Sequence, residues 1–295
     1  MTGFCNGIIT AMITPFTKDG VNFEEFGKMI EFQIAGGTDG LVVLGTTGEP
    51  ATMTEEEKTE TIKYAVKKAA GRIKIIVGTG SNDTKKAVAA TVRAEELGAD
   101  GVLAVTPYYN KCTQKGLYDY YKAICDAVKI PVIAYNVPSR TAVNILPETV
   151  EKLASIPNMA GIKEASGNMA QVCETMRRIR GKIDLFSGED FLNLPMLAIG
   201  GAGLISVTSN IAPELVKKMY NLVKENRLEE ANAVQDFLLP LEDACFLEVN
   251  PIPIKAAYNM IGFNAGVPRS PLTELEPRNK DILREEIKKA GLKGI

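Results

Sequence analysis

The 295-residue chain contains no histidine and no tryptophan. Without histidine there is no Ser-His-Asp or Cys-His nucleophile system, no His-ligated metal and no imidazole base. Any proton transfer must run through lysine, tyrosine, carboxylates, thiols or the substrates themselves. Cysteine is scarce: five residues, at 5, 112, 125, 173 and 245, an odd number with no CxxC pair. That argues against a disulfide framework or zinc ribbon and fits a reducing cytoplasm. Charge of one sign is lacking too: 34 basic against 36 acidic residues leave a formal −2, with no basic stripe to hold nucleic acid. No long apolar span is present. The most membrane-like window, 191–207, is interrupted by Asn193, Pro195 and three glycines, so no membrane partner is expected. The N-terminus has no basic n-region and Pro15 breaks its apolar stretch, which predicts no signal peptide and a cytoplasmic protein.

What is present is ordinary for a folded protein: 45% hydrophobic and 24% charged residues in a chain long enough for a large core. Continuous apolar, β-branched runs recur at 7–14, 40–44, 73–78, 101–106, 132–136, 159–163, 183–187 and 203–207, starting 20 to 33 residues apart. Runs without alternation suit strands buried on both faces of a parallel sheet. Helical patterns fill the gaps. Asn22 with Glu25 and Thr54 with Glu57 read as capping boxes, and Pro147 and Pro213 as first-turn prolines. Eight strand–helix alternations predict a (β/α)8 TIM barrel over 1–225, with a doubly wound sheet as the alternative. Residues 226–295 read as an appended C-terminal helical layer, with helices at 227–246, 254–260 and 279–290.

In such a barrel the chemistry collects at the C-terminal ends of the strands. Lys163 closes the sixth run. Desolvation there lowers an amine's pKa and makes a nucleophile able to form a Schiff base; a lysine snorkelling to water, or paired with Glu164, is the plain alternative. Tyr135, at the neighbouring strand end, offers a phenol as proton relay, or else a buried ring with its hydroxyl bonded. Thr46 and Thr47, in a Gly-flanked turn, offer hydroxyls and N–H groups suited to a carboxylate, or only turn chemistry. Five of the nine tyrosines, at 108, 109, 118, 120 and 121, hint at an interface or at ordinary helix packing. Gly78-Thr-Gly80-Ser-Asn-Asp83 lacks the third glycine of a dinucleotide fingerprint. Glu189 and Asp190 disfavour a phosphorylated substrate.

The segments GTTGE (45–49), TPYYN (106–110), YNVPSRT (135–141), GIKEASG (161–167), SGED (187–190) and NPIPIK (250–255) occur in this order. Together they resemble the dihydrodipicolinate synthase and N-acetylneuraminate lyase superfamily of class I aldolases, over essentially the whole chain. The resemblance implies a Schiff base between Lys163 and pyruvate, with no metal or organic cofactor. It implies a proton relay of Tyr135, Thr46 and Tyr109, the last entering from a neighbouring subunit of a homotetramer built as a dimer of dimers. Thr47 would hold pyruvate's carboxylate, Arg140 the carboxylate of L-aspartate 4-semialdehyde, and Gly188 and Ile205 would line the pocket. Arg140 favours that aldehyde over the sugar acids of sibling lyases; a non-catalytic scaffold has no need of the set. Where lysine-inhibited members carry a regulatory site, this chain has Glu55, Lys58, Asn82, Lys86 and Tyr108. Lys86 would repel a ligand ammonium, so inhibition by lysine is expected to be weak or absent.

Overall fold

The continuous apolar runs become strands whose two faces both avoid water. In the computed structural model, which describes residues 2–292, each of the eight runs contains a strand. β1 (Gly7–Ala11) is followed by a small hairpin, β2 (Phe16–Thr17) and β3 (Gly20–Val21). Then come β4 (Gly40–Val43), β5 (Lys74–Gly78), β6 (Gly101–Val105), β7 (Val132–Asn136), β8 (Met159–Glu164), β9 (Asp184–Ser187) and β10 (Gly203–Ser206). Outside the antiparallel hairpin, neighbours pair in parallel. β1 lies between β4 and β10, so the eight-stranded sheet closes on itself and the open doubly wound alternative falls away. The membrane-like window is divided among a short 3-10 turn, a helix and β10. Among the described residues no helix is long and apolar enough to cross a membrane.

The helices outside the barrel are α1 (Phe23–Ala35), α2 (Glu55–Ala69), α3 (Thr84–Glu96), α4 (Gln114–Asp126), α5 (Pro138–Thr141), α6 (Pro147–Leu153), α7 (Met169–Ile179), α8 (Asn193–Ala198) and α9 (Pro213–Lys224). Pro147 and Pro213 occupy first-turn positions, as their missing N–H permits. Thr54 and Glu57 form a reciprocal capping box at the start of α2. The expected box at α1 is only half made. Asn22 Oδ1 accepts from Glu25 N at 3.2 Å, but the Asn22 N–H already donates to Pro15 O. With that donor occupied, the Glu25 carboxylate serves Asn264 N at 2.8 Å and Lys28 at 3.1 Å.

α10 (Leu228–Cys245), α11 (Ile252–Met260) and α12 (Pro277–Lys289) complete the described chain. Leu241, Cys245, Ile254, Tyr258, Leu283 and Ile287 from these helices share one core with residues of the barrel helices and strands. Inside the barrel a second cluster, including Ile9, Val42, Ile76, Leu103, Ile133, Phe186 and Ile205, fills the lumen. The barrel is a packed core rather than a pore, so only its mouth has room for a ligand. Gly78 and Gly80 lie where a Cβ would collide with the Leu44 and Val105 backbones. These glycines serve strand packing, which accounts for the incomplete dinucleotide pattern.

Candidate active site

Lys163 and Tyr135 face one another across the β7–β8 ladder, where they are paired in register. The Lys163 Nζ lies 4.3 Å from the centroid of the Tyr135 ring. Both residues are more than nine-tenths buried. Among the described residues neither the Lys163 ammonium nor the Tyr135 hydroxyl has a hydrogen-bond or ion-pair partner. The two polar groups at the strand ends are therefore uncommitted. Glu164, the alternative partner of Lys163, points elsewhere. It accepts from Asn136 Nδ2 at 3.0 and 3.2 Å and from Ser166 N at 2.7 Å, and burial raises its pKa despite these bonds. The other deeply buried lysine, Lys255, is committed: its Nζ meets Glu49 Oε1 at 2.7 Å and sits over the Phe16 ring.

Gly188 gives Lys163 its space. A Cβ at 188 would lie 2.7 Å from Lys163 Cε and 2.8 Å from Cγ, so the glycine lets the amine's stem pass. Ile205, on β10, belongs to the same lumen cluster as Tyr135. The acidic pair that follows β9 divides its work. Asp190 turns into the fold, accepting from the Val207 and Thr208 amides at 3.0 and 2.8 Å and from Asn193 Nδ2 at 3.1 Å. Only Glu189 is left partly open. Its pKa is raised by burial and by the Asp190 charge, with Lys163 opposing. The sequence counts two acidic groups after β9; the site has one.

The Thr46-Thr47 turn is a single 3-10 turn ending at Glu49, whose backbone is left-handed at φ 56°. The Thr46 carbonyl accepts from Glu49 N. Thr47 Oγ1 accepts from Asn250 Nδ2 at 2.9 Å. Arg140, in α5, donates from Nη2 to the Asn250 carbonyl at 3.1 Å. Glu49 is held at both oxygens, by Lys255 and by Arg269 N at 2.9 Å. The Arg269 guanidinium stacks on Phe16 and pairs with Glu57. Asn250 therefore joins Thr47 to Arg140, a connection that sequence spacing did not reveal. The only sequence signal is its place at the head of the NPIPIK segment.

Tyr109 stands apart. It is 92% exposed, with a left-handed backbone at φ 70°, and is not gathered with Lys163 and Tyr135 within this one chain. The tyrosine cluster separates into two kinds. Tyr120 and Tyr121 are buried, with hydroxyls bonded to the Val105 and Ala104 carbonyls; that is helix packing. Tyr108 and Tyr109 are exposed. Beside them, Asn110 Nδ2 donates to the Asn82 carbonyl at 2.9 Å. On α2, Glu55 is paired with Lys58 at 2.9 Å and with Arg93 from α3, and these partners lower its pKa. Lys86, in the first turn of α3, is exposed.

A family model described as the dihydrodipicolinate synthetase family matches residues 4–290. A 4-hydroxy-tetrahydrodipicolinate synthase from Caldicellulosiruptor bescii is 48% identical over 283 residues, spanning 96% of each chain. Among solved structures, the chloride-inhibited dihydrodipicolinate synthase of Acinetobacter baumannii complexed with pyruvate superposes with a TM-score of 0.95 at 41% identity. That match covers 98% of this chain and 99% of the other. The corresponding enzyme of Cyanidioschyzon merolae, with lysine bound, superposes with a TM-score of 0.95 at 37% identity and the same coverage.

Proposed function

Because the chain belongs to the dihydrodipicolinate synthetase family, we propose that its barrel mouth carries out a Schiff-base aldol condensation on Lys163. The enzyme joins pyruvate to L-aspartate 4-semialdehyde and yields 4-hydroxy-tetrahydrodipicolinate, a step of diaminopimelate and lysine biosynthesis. The observation that carries the mechanism is the pairing of a buried, unpartnered amine with an unpartnered phenol 4.3 Å away, measured from amine to ring centroid. The neutral Lys163 amine adds to the pyruvate ketone. Tyr135 shuttles a proton to the carbinolamine oxygen, water leaves, and an iminium forms. The iminium draws electrons from the methyl carbon, which loses a proton to give an enamine. The enamine carbon attacks the aldehyde and forms the new C–C bond. Hydrolysis returns the Lys163 amine, and the product cyclises with loss of water. Thr46 and Tyr109 extend the relay, Thr47 holds pyruvate's carboxylate, and Arg140 that of the second substrate, with Gly188 and Ile205 lining the pocket. No metal or organic cofactor enters this scheme.

On this reading residues 1–225 are the catalytic barrel, and 226–295 an extension that supplies Asn250, Lys255 and Arg269 to its mouth. The protein works in the cytoplasm as a homotetramer, a dimer of dimers. The exposure of Tyr109 supports its use by a neighbouring copy. Incubation with pyruvate followed by borohydride reduction should fix one pyruvate-derived adduct, located at Lys163 by peptide mass spectrometry. An adduct at Lys255 alone, or none, would overturn the mechanism.

Regulation by lysine is expected to be weak or absent. A lysine ligand's ammonium needs an available carboxylate. At this surface Glu55 is already neutralised by Lys58 and Arg93, and Lys86 adds a positive charge. Turnover titrated with lysine should stay within about 20% of its starting value at roughly 100 μM, which requires a Kd above about 400 μM, a binding free energy no stronger than about 4.6 kcal/mol. Half-inhibition in the low-micromolar range would reverse this reading.

A further inference from the structure

We propose that Asn250 is a positioning residue that sets the direction of the Thr47 hydroxyl proton, so that Thr47 donates to the pyruvate carboxylate. The inference rests on the role given to Thr47 above. A hydroxyl has one proton to give and lone pairs to receive, whereas an amide NH2 only gives and a carboxylate only receives. Asn250 Nδ2 lies 2.9 Å from Thr47 Oγ1, so the oxygen is engaged as an acceptor. The Thr47 proton is then free for an acceptor on its other side. The sequence amide, hydroxyl, carboxylate forms one directed chain, in which each bond polarises the next.

Three further observations hold this arrangement. Asn250 is 6% exposed, and its Oδ1 is buried with no hydrogen-bond partner. The carboxamide is thus oriented by what its NH2 does, at the cost of an unpaired carbonyl, a cost usually found where a site requires it. The Asn250 backbone carbonyl is fixed by Arg140 Nη2 at 3.1 Å. Five residues on, Lys255 grips Glu49 in the same turn that carries Thr47. Side chain and backbone of one asparagine therefore hold the residues assigned to the two substrates' carboxylates.

The opposite arrangement, with Thr47 donating to an amide oxygen, is geometrically similar and chemically different. Asn250→Asp separates the two. A carboxylate at 250 accepts the Thr47 proton and withdraws it from pyruvate, whereas under the opposite arrangement it merely preserves the existing bond. The readout is the pyruvate concentration giving half-maximal borohydride trapping at Lys163, measured without the second substrate. Asn250→Asp is expected to raise it roughly tenfold or more, and Asn250→Ala by a few-fold. In a Thr47→Val background neither change should raise it further by as much as twofold. Trapping by Asn250→Asp at wild-type pyruvate concentrations overturns the proposal. So does an undiminished tenfold effect over Thr47→Val, because simple charge repulsion then explains it. If Asn250→Asp does not fold, Asn250→Ala with and without Thr47→Val carries the same test. Failure of the wild-type protein to trap pyruvate at Lys163 instead overturns the underlying mechanism.

Discussion

Lys163→Ala should lower turnover by roughly 10⁴-fold or more while leaving the fold intact. The chemical half of this expectation follows from the lack of a substitute. With no histidine in the chain and Lys255 tied to Glu49 by an ion pair buried on both sides, no second amine among the described residues stands free beside Tyr135. The structural half follows from how little Lys163 contributes to cohesion. Among the described residues it has no ion pair to lose, and its stem lies beside the space left by Gly188. Truncation leaves space next to the mouth rather than a sealed void, so stability should change by no more than about 1 kcal/mol. A coupled turnover assay and a thermal melt on the same preparation decide both halves. Activity within tenfold of wild type would mean that another group forms the covalent intermediate.

Gly188→Ala should produce the opposite of a packing mutant, with a nearly unchanged melting temperature and a loss of about a hundredfold in kcat. The added methyl would sit 2.7 Å from Lys163 Cε and 3.0 Å from Ala165 Cβ, well inside van der Waals contact. A lysine stem yields cheaply because it is flexible and unpartnered, so the fold absorbs the clash. The amine cannot move without leaving its place 4.3 Å from the Tyr135 ring centroid. A displacement near 1 Å at a reacting atom costs about 10² in rate. Comparing kcat with the melting temperature tests this. A variant that melts many degrees lower with kcat preserved would show that Gly188 serves packing instead.

Much of this architecture can be read from the chain because its strands are apolar without alternation. Seven of the eight barrel strands fall within the expected runs and β8 runs one residue beyond its own, to Glu164, with ends differing by three residues at most. The hairpin of Phe16–Thr17 and Gly20–Val21 escapes such a reading, since two-residue strands carry no period. Lys163 and Tyr135 stand out because a polar residue closing a buried strand is conspicuous. Asn250 does not, because its meaning lies in a bond to Thr47 203 positions away. Asp190 misleads in the other direction. In sequence it is a charge at a strand end, and in the fold its Oδ2 accepts from the Val207 and Thr208 amides and its Oδ1 from Asn193 Nδ2. The α1 capping box fails for a related reason, since Pro15 had already taken the Asn22 N–H. Local signals are read correctly until a distant group competes for the same donor or acceptor.

The anchoring of the Thr46–Glu49 turn also bears on the order of folding. Its holding partners, Asn250, Lys255 and Arg269, lie between 203 and 220 positions downstream of the residues they hold. Contacts so remote must meet the entropy of closing a long loop before they contribute anything. During synthesis the barrel's last strand, ending at Ser206, emerges well before these partners do, since chains are made from the N-terminus at about 5–20 residues per second. The sheet can therefore close around a turn whose Glu49 carboxylate still lacks the counter-ion it has in the complete fold. The turn gains these partners only when the chain beyond Asn250 docks, so the capacity to trap pyruvate is expected to arise late rather than with the barrel itself.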